Sequence, residues 1–237
     1  MKVEMNFYVG LRDADKDLNI TDTGILACLE NAAGYHSELA GYGASTIDIT
    51  RKTWVLLNWK VEIKSRPKYN QLLKIVTWSR KLDKFYAYRD FEVFDENKNL
   101  VFSGTSKWLL IDIDKGRPVK ITDEIGANYH SENTEALEDE EIESLEEPKN
   151  PTKTIKYKVT ENMIDINNHL HNIYYMDMAR EILPEEDKNY KLIEIAYKKE
   201  IKSGAKVLIS YERDDDSSII AIKSEDEQTT HSIIRLK

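Results

Sequence analysis

The spacing of apolar positions divides the chain into two runs with the same plan. Residues 2–9 alternate as a strand does. From 21 to 43, Ile25, Leu26, Leu29, Ala32, Ala33, His36 and Leu39 recur at three-and-four spacing, which predicts one helix. Thr21 or Thr23 is placed to cap its start, and Gly41 and Gly43 to end it. The small residues on its apolar side let a sheet approach closely. Trp59, Val61 and Ile63 then alternate with Lys60, Glu62 and Lys64, the pattern of a half-buried strand. Residues 71–81, 84–95 and 99–114 read as further strands, with Asp95–Asn99 as a hairpin connection.

The second run repeats this order in fewer residues. It predicts a strand at 152–160, a helix at 171–183, and strands at 191–201, 206–214, 218–226 and 230–237. Asp214–Ser218 supplies a tight turn between two of them. One helix per set of long antiparallel strands is not a βαβ pattern. It points to a sheet curved around a single central helix, an α+β hotdog, present here as a tandem or double hotdog. A β-sandwich with stray helices is the alternative from pattern alone. The expected organisation is an N-terminal hotdog at 1–130, an acidic linker at 131–150 and a C-terminal hotdog at 151–237.

A length of 237 residues accommodates two such domains. No apolar run approaches the roughly 20 residues that span a bilayer, and the opening residues have no apolar signal core. With one cysteine, Cys28, no internal disulfide can form, which suits a reducing cytoplasm. The net charge of −9 is matched by the nine carboxylates of residues 131–147, where no Lys or Arg occurs. The remainder is balanced, so the basic footprint of a nucleic-acid binder is missing. The acidic run itself reads as a solvated linker, interrupted at its end by Pro148 and Pro151.

Reactive side chains are densest just before the second helix, in Glu161–Tyr175. Asp165, Asn167 and His169 fall at every second position and share one side of an extended segment. A helix start offers free N–H groups and a positive dipole end that can hold an oxyanion. Acid, amide and imidazole beside such an end form a usable hydrolytic set. The same residues also suit a loop whose side chains cap backbone donors, and both readings stay open at this point. His169-x-His171 with Asp165 is a poor metal set, because no second histidine pair or cysteine cluster accompanies it.

The stretch resembles the catalytic segment of acyl-acyl-carrier-protein thioesterases, which runs Asn-Asp-x-Asp-x-Asn-x-His-x-Asn-Asn-x-x-Tyr. Asn162, Asp165, Asn167, His169, Asn172 and Tyr175 fall in register, while Met163 and His171 depart from it. The family's Tyr-Arg-Arg-Glu-Cys is matched by Tyr197-Lys198-Lys199-Glu200-Ile201. Trp54–Trp78 with its Arg66-Pro67 turn, Tyr88-Arg89-Asp90 and Ser106-Lys107-Trp108 also look like the family's first half.

The resemblance implies hydrolysis of fatty acyl thioesters on acyl carrier protein, without cofactor or metal, by Asp165, Asn167, His169 and Glu200. The family's thiol position holds Ile201, so a cysteine nucleophile cannot act there, and Cys28 on the apolar helix is expected to be a buried hydrophobe. Glu200, buried between sheet and helix, is expected as general base, with Asn167 orienting the water and His169 polarising the substrate or protonating the leaving thiolate. Asp165 would fix the loop and the His169 ring, and the helix end would bind the oxyanion. The first half, with no histidine in its Asp17–Thr23 loop, is expected to be catalytically silent. Leu26, Leu29, Trp54 and Leu56 would be core or line an acyl tunnel. Docking of an acidic carrier protein would use Lys198, Lys199, Lys202 and Lys206, with Lys64, Arg66 and Lys68. Neither membrane nor nucleic acid is expected as a partner, and a homodimer is left open. Acting on acyl-coenzyme A, dehydration in the manner of a hotdog dehydratase, and non-catalytic acyl binding are the rival functions.

Overall fold

The computed structural model describes all 237 residues. They form two compact units, Met1–Ile142 and Glu143–Lys237.

In chain order the first unit contains β1 (Val3–Tyr8), α1 (Asp22–Leu39), a single-turn α2 (Ile47–Thr50), β2 (Lys52–Ile63), β3 (Leu72–Leu82), β4 (Tyr86–Phe94), β5 (Leu100–Asp112), a short β6 (Arg117–Pro118) and α3 (Asp123–Tyr129). Its strands pair antiparallel in the order β1-β3-β4-β5-β2, with β6 added to β5. α1 is the central helix. Thr21 Oγ1 accepts the Gly24 N–H at 3.0 Å, which satisfies one orphan donor of the first turn. A Cβ at Gly24 would sit 2.8 Å from the Asp13 carbonyl oxygen, so only glycine lets the preceding loop close on the helix. Ile25, Leu26, Leu29 and Ala32 are fully buried, each large aliphatic contributing about 1.5–3 kcal/mol.

The second unit contains β7 (Lys153–Lys158), α4 (Tyr174–Ile182), β8 (Leu192–Tyr197), β9 (Lys206–Asp214), β10 (Ser217–Ser224) and β11 (Thr230–Leu236). Its strands run β7-β9-β10-β11-β8, again antiparallel. Tyr175, Met176, Met178, Ala179 and Ile182 form the buried face of α4. Each unit is thus a hotdog, and the chain is an α+β tandem of two. No helix is long and apolar enough to cross a membrane.

Two expectations need correction here. β8 stops at Tyr197, so Glu200 lies in the loop after the strand rather than on it. The acidic stretch is not a solvated tether. Up to Ile142 it is fastened to the first unit: Trp78 Nε1 donates to the Thr134 carbonyl (2.8 Å), the Ala136 N–H to Asp90 Oδ2 (2.9 Å), and Leu137 is buried. Lys60, predicted on the wet face of β2, is 4% exposed because Asp139 covers it (2.7 Å). From Glu143 onward the stretch belongs to the second unit. Arg235 binds Glu143 (2.6 Å), Leu145 packs with Ala196 and Ile233, and Glu147 takes Lys223 (2.9 Å) and the Thr230 hydroxyl. Asp139, Glu140, Glu143 and Glu147 find basic partners on the sheets, and both leucines are buried, so the run is held to the two units.

Candidate active site

The loop before α4 is a tight turn, not the extended segment that the every-second-residue spacing suggested. Asp165 N–H donates to the His169 carbonyl (2.8 Å) and Asn168 N–H to the Asp165 carbonyl (3.1 Å). Asn168 closes it in the left-handed region, φ 63°, which asparagine tolerates better than most residues. One carboxylate oxygen of Asp165 accepts the N–H groups of Asn167 (2.8 Å) and His169 (3.1 Å). Asp165 therefore fixes the loop through its backbone, and the acceptor it offers is used by the His169 amide, not by the ring. Asn167 Nδ2 reaches the other Asp165 oxygen at 3.4 Å.

What brings Glu200 to this turn is a single backbone bond: Leu170 N–H donates to the Ile201 carbonyl at 2.7 Å. The residues immediately before these two are His169 and Glu200. Asp165 and His169 are half-buried, whereas Asn167 and Glu200 are exposed. The expected burial of Glu200 is thus corrected: ending β8 early leaves its carboxylate in water. The charges of Glu200 and Asp165 both reach the Tyr175 phenol at the start of α4. Burial, then the charge of Glu200, then that of Asp165, push this phenol above its ordinary range. It stays a neutral hydroxyl, able to donate.

The end of α4 differs from expectation too. Tyr174, Tyr175 and Met176 donate their N–H groups to the carbonyls of His171 (3.0 Å), Asn172 (3.4 Å) and Ile173 (3.3 Å). The chain enters the helix through these short-range bonds, so the donors expected to hold an oxyanion are already spent on the chain itself. The cap residue, Ile173, has no side-chain acceptor. Asp165 consequently caps the turn and not the helix, with the Asn167 side chain donating to it.

Tyr197, at the last position of β8, supports this entry. Its hydroxyl donates to the Asn172 carbonyl (3.0 Å), and its ring meets Tyr175 edge-on at 5.3 Å. Tyr175 and Tyr197 lay within the matched motifs, yet their residue type alone gave no role. His231, on β11, holds the other side of the Glu200 loop. Its position in a plain apolar strand offered no signal.

The first unit repeats the turn with other side chains. Asp15 accepts the N–H groups of Asp17 and Asn19 (both 2.9 Å), Leu18 closes the turn at φ 62°, and Ile20 N–H donates to the Pro67 carbonyl (2.8 Å). Asn19 so corresponds to His169, Asp17 to Asn167 and Arg66 to Glu200. Arg66, expected among docking residues, is instead bonded to the fully buried Asp22 (2.6 Å) and to the Ile20 carbonyl (3.1 Å). Cys28 is buried, and burial, with Asp13 nearby, raises its thiol far above the range where a thiolate forms. No group of three or more His, Cys, Asp or Glu is arranged to share a metal ion.

The family model described as the acyl-ACP thioesterase N-terminal domain matches residues 1–129, and that of the C-terminal domain matches residues 146–236. The oleoyl-acyl carrier protein thioesterase of Coriandrum sativum is 24% identical over 218 residues, covering 82% of this chain and 58% of its own. An Arabidopsis thaliana oleoyl-acyl carrier protein thioesterase is 25% identical, with 80% of this chain and 58% of its own covered. The chain thus spans little more than half the length of these relatives. An acyl-ACP thioesterase structure from Bacteroides thetaiotaomicron superposes with a TM-score of 0.88 at 19% identity, over 99% of this chain and 96% of that one. The 12:0-ACP thioesterase of Umbellularia californica gives 0.85 at 17% identity, over 100% and 96%.

Proposed function

The chain belongs to the acyl-ACP thioesterase family, and we propose that it hydrolyses fatty acyl thioesters on acyl carrier protein, releasing free fatty acid. The observation that carries this reading is the Leu170–Ile201 bond, which sets the turn of Asp165, Asn167 and His169 beside Glu200. Here Asp165, Asn167, His169 and Glu200 form the working set of the C-terminal unit, and the N-terminal unit is silent.

A thioester lacks the resonance stabilisation of an ester, so its carbonyl is open to direct attack by water. The leaving thiol has an ordinary pKa near that of cysteine, about 8.5, and departs as thiolate with little help. The demanding proton transfer is therefore the one from water. Glu200 is exposed, its carboxylate in contact with solvent, and serves as general base. Water oxygen bonds to the carbonyl carbon as its proton passes to Glu200, the carbon–sulfur bond then breaks, and the thiolate takes up a proton. With the helix N–H groups engaged, the oxyanion is met by side-chain donors, the Asn167 amide and the His169 ring. Lys198, Lys199 and Lys202 are exposed around Glu200 and give an acidic carrier protein a complementary rim.

A panel of acyl-carrier-protein and coenzyme A thioesters of varied chain length tests this, run beside Glu200→Gln. Free acid from the carrier-bound substrates, lost in the variant, is expected. Saturable binding without acid release by the wild type would defeat the proposal, and an enoyl product from a 3-hydroxyacyl thioester added to the panel would turn it into a dehydratase.

A further inference from the structure

Glu200 hangs on a loop with two fastenings. One is the Leu170 N–H on the Ile201 carbonyl. The other comes from β11: the His231 carbonyl accepts the N–H groups of Lys198 (2.8 Å) and Lys199 (3.3 Å), and His231 Nδ1 lies 3.0 Å from the Lys199 carbonyl. A carbonyl only accepts, so Nδ1 must carry the proton and donate. His231 is 9% exposed, so this bond forms where water competes little.

The first unit provides an internal control. The β2–β5 register sets Ile63 opposite Phe102, as Tyr197 stands opposite Ser232 in the β8–β11 register. Val101 is therefore the counterpart of His231. Its carbonyl accepts the N–H groups of Lys64 (2.9 Å) and Ser65 (3.0 Å), the same paired backbone bonds. The loop there closes with a valine. An imidazole is consequently not required to fold this connection. It is found in the unit where the loop carries Glu200, and is replaced by valine where the loop carries Arg66.

We propose that His231 is a positioning residue for Glu200: its Nδ1–H fixes the carbonyl of Lys199, and so the direction in which the next residue presents its carboxylate. This rests on the thioesterase reading and deepens it. Misplacing a base by about 1 Å costs on the order of 100-fold in rate, so the bond has a measurable consequence.

The test is steady-state hydrolysis of one acyl-carrier-protein thioester by wild type, His231→Val, His231→Asn, Glu200→Gln and the Glu200→Gln/His231→Val double variant, with thermal melting of each. His231→Val copies the first unit's own solution. It is expected to melt near wild type, to keep KM within threefold, and to lose roughly 10–100-fold in kcat. His231→Asn, which holds an N–H at similar reach, should recover most of that loss. A group acting through Glu200 adds nothing once Glu200 is gone, so the double variant should match Glu200→Gln. A His231→Val protein with wild-type kcat, or a double variant whose loss is the product of the two single losses, would overturn the assignment. In either case an inactive Glu200→Gln leaves the thioesterase reading standing. Full turnover by Glu200→Gln would remove Glu200 from the mechanism and the His231 assignment with it, while hydrolysis itself would stand. The nitrogen NMR spectrum of the wild-type ring gives an answer without turnover: the Nδ1–H tautomer is expected, and the Nε2–H tautomer would overturn the bond.

Discussion

The turn before the central helix is built twice in this molecule on one backbone, with opposite chemistry. In the N-terminal unit it presents Asp17, Asn19 and, across the Ile20–Pro67 bond, Arg66. In the C-terminal unit it presents Asn167, His169 and, across the Leu170–Ile201 bond, Glu200. The hydrogen bonds that shape the two turns agree to within a few tenths of an ångström. The side chains projecting from them do not share a single type beyond the aspartate, Asp15 or Asp165, that organises the backbone. The shape is thus common to both, while the first turn carries a cation locked to the buried Asp22 where the second carries the Glu200 carboxylate. A turn of this form is a scaffold, and reactivity depends on what is mounted on it.

That contrast can be broken most forcefully at Glu200. Glu200→Gln keeps the shape and removes basicity, and is expected to lower kcat by about 10²–10⁴ in a thioester hydrolysis assay. Unchanged turnover would erase the distinction between the units. Asn167→Ala should cost on the order of 10²–10³, the loss of one positioned polar group. A change under threefold would reduce Asn167 to part of the turn. Arg66→Met, at the silent turn, should leave turnover within threefold yet destabilise the fold by about 3 kcal/mol, because the guanidinium leaves a fully buried carboxylate. Urea denaturation beside the activity assay separates these, and a large activity loss would show that the first unit is not silent.

The smallest effect concerns pH. His36 on α1 is buried and bonded through Nδ1 to Arg89 (2.7 Å). Desolvation first, then the Arg89 charge, hold its pKa down to about 3. Unfolded, it titrates near 6.5. Between these values the unfolded chain binds a proton that the fold refuses, so stability rises with pH across the window and is lost on acidification. The stability advantage of wild type over His36→Gln should shrink between pH 7 and pH 4 by roughly 1–3 kcal/mol. A constant difference would mean that the ring is protonated in place.

The elements were legible because each carries its own period. The alternation in 206–214 and the three-and-four spacing in 21–39 match β9 and α1 closely. The α3 helix and the packing of the acidic run were not legible. Both depend on partners distant in sequence, such as Trp78 for Thr134 and Arg235 for Glu143, which no local pattern reveals. At the site, the residue types in 165–169 were visible and their geometry was not. A left-handed Asn168 turns alternation into a closed loop, and only the early end of β8 explains why Glu200 meets water. The share of His231 lay hidden in a strand whose neighbours are ordinary core residues.

The joint between the units has a bearing on how such a chain could change. Asp139 ends one unit by covering Lys60, with the Thr134 carbonyl receiving the Trp78 indole, and Glu143 begins the next by pairing with Arg235. A cut between Ile142 and Glu143 would leave each unit its own fastenings, whereas a cut near 130 would strip the first unit of Asp139, and one near 150 would strip the second of Glu143 and Leu145. The place of division, and not the number of residues kept, therefore decides which half retains its cover.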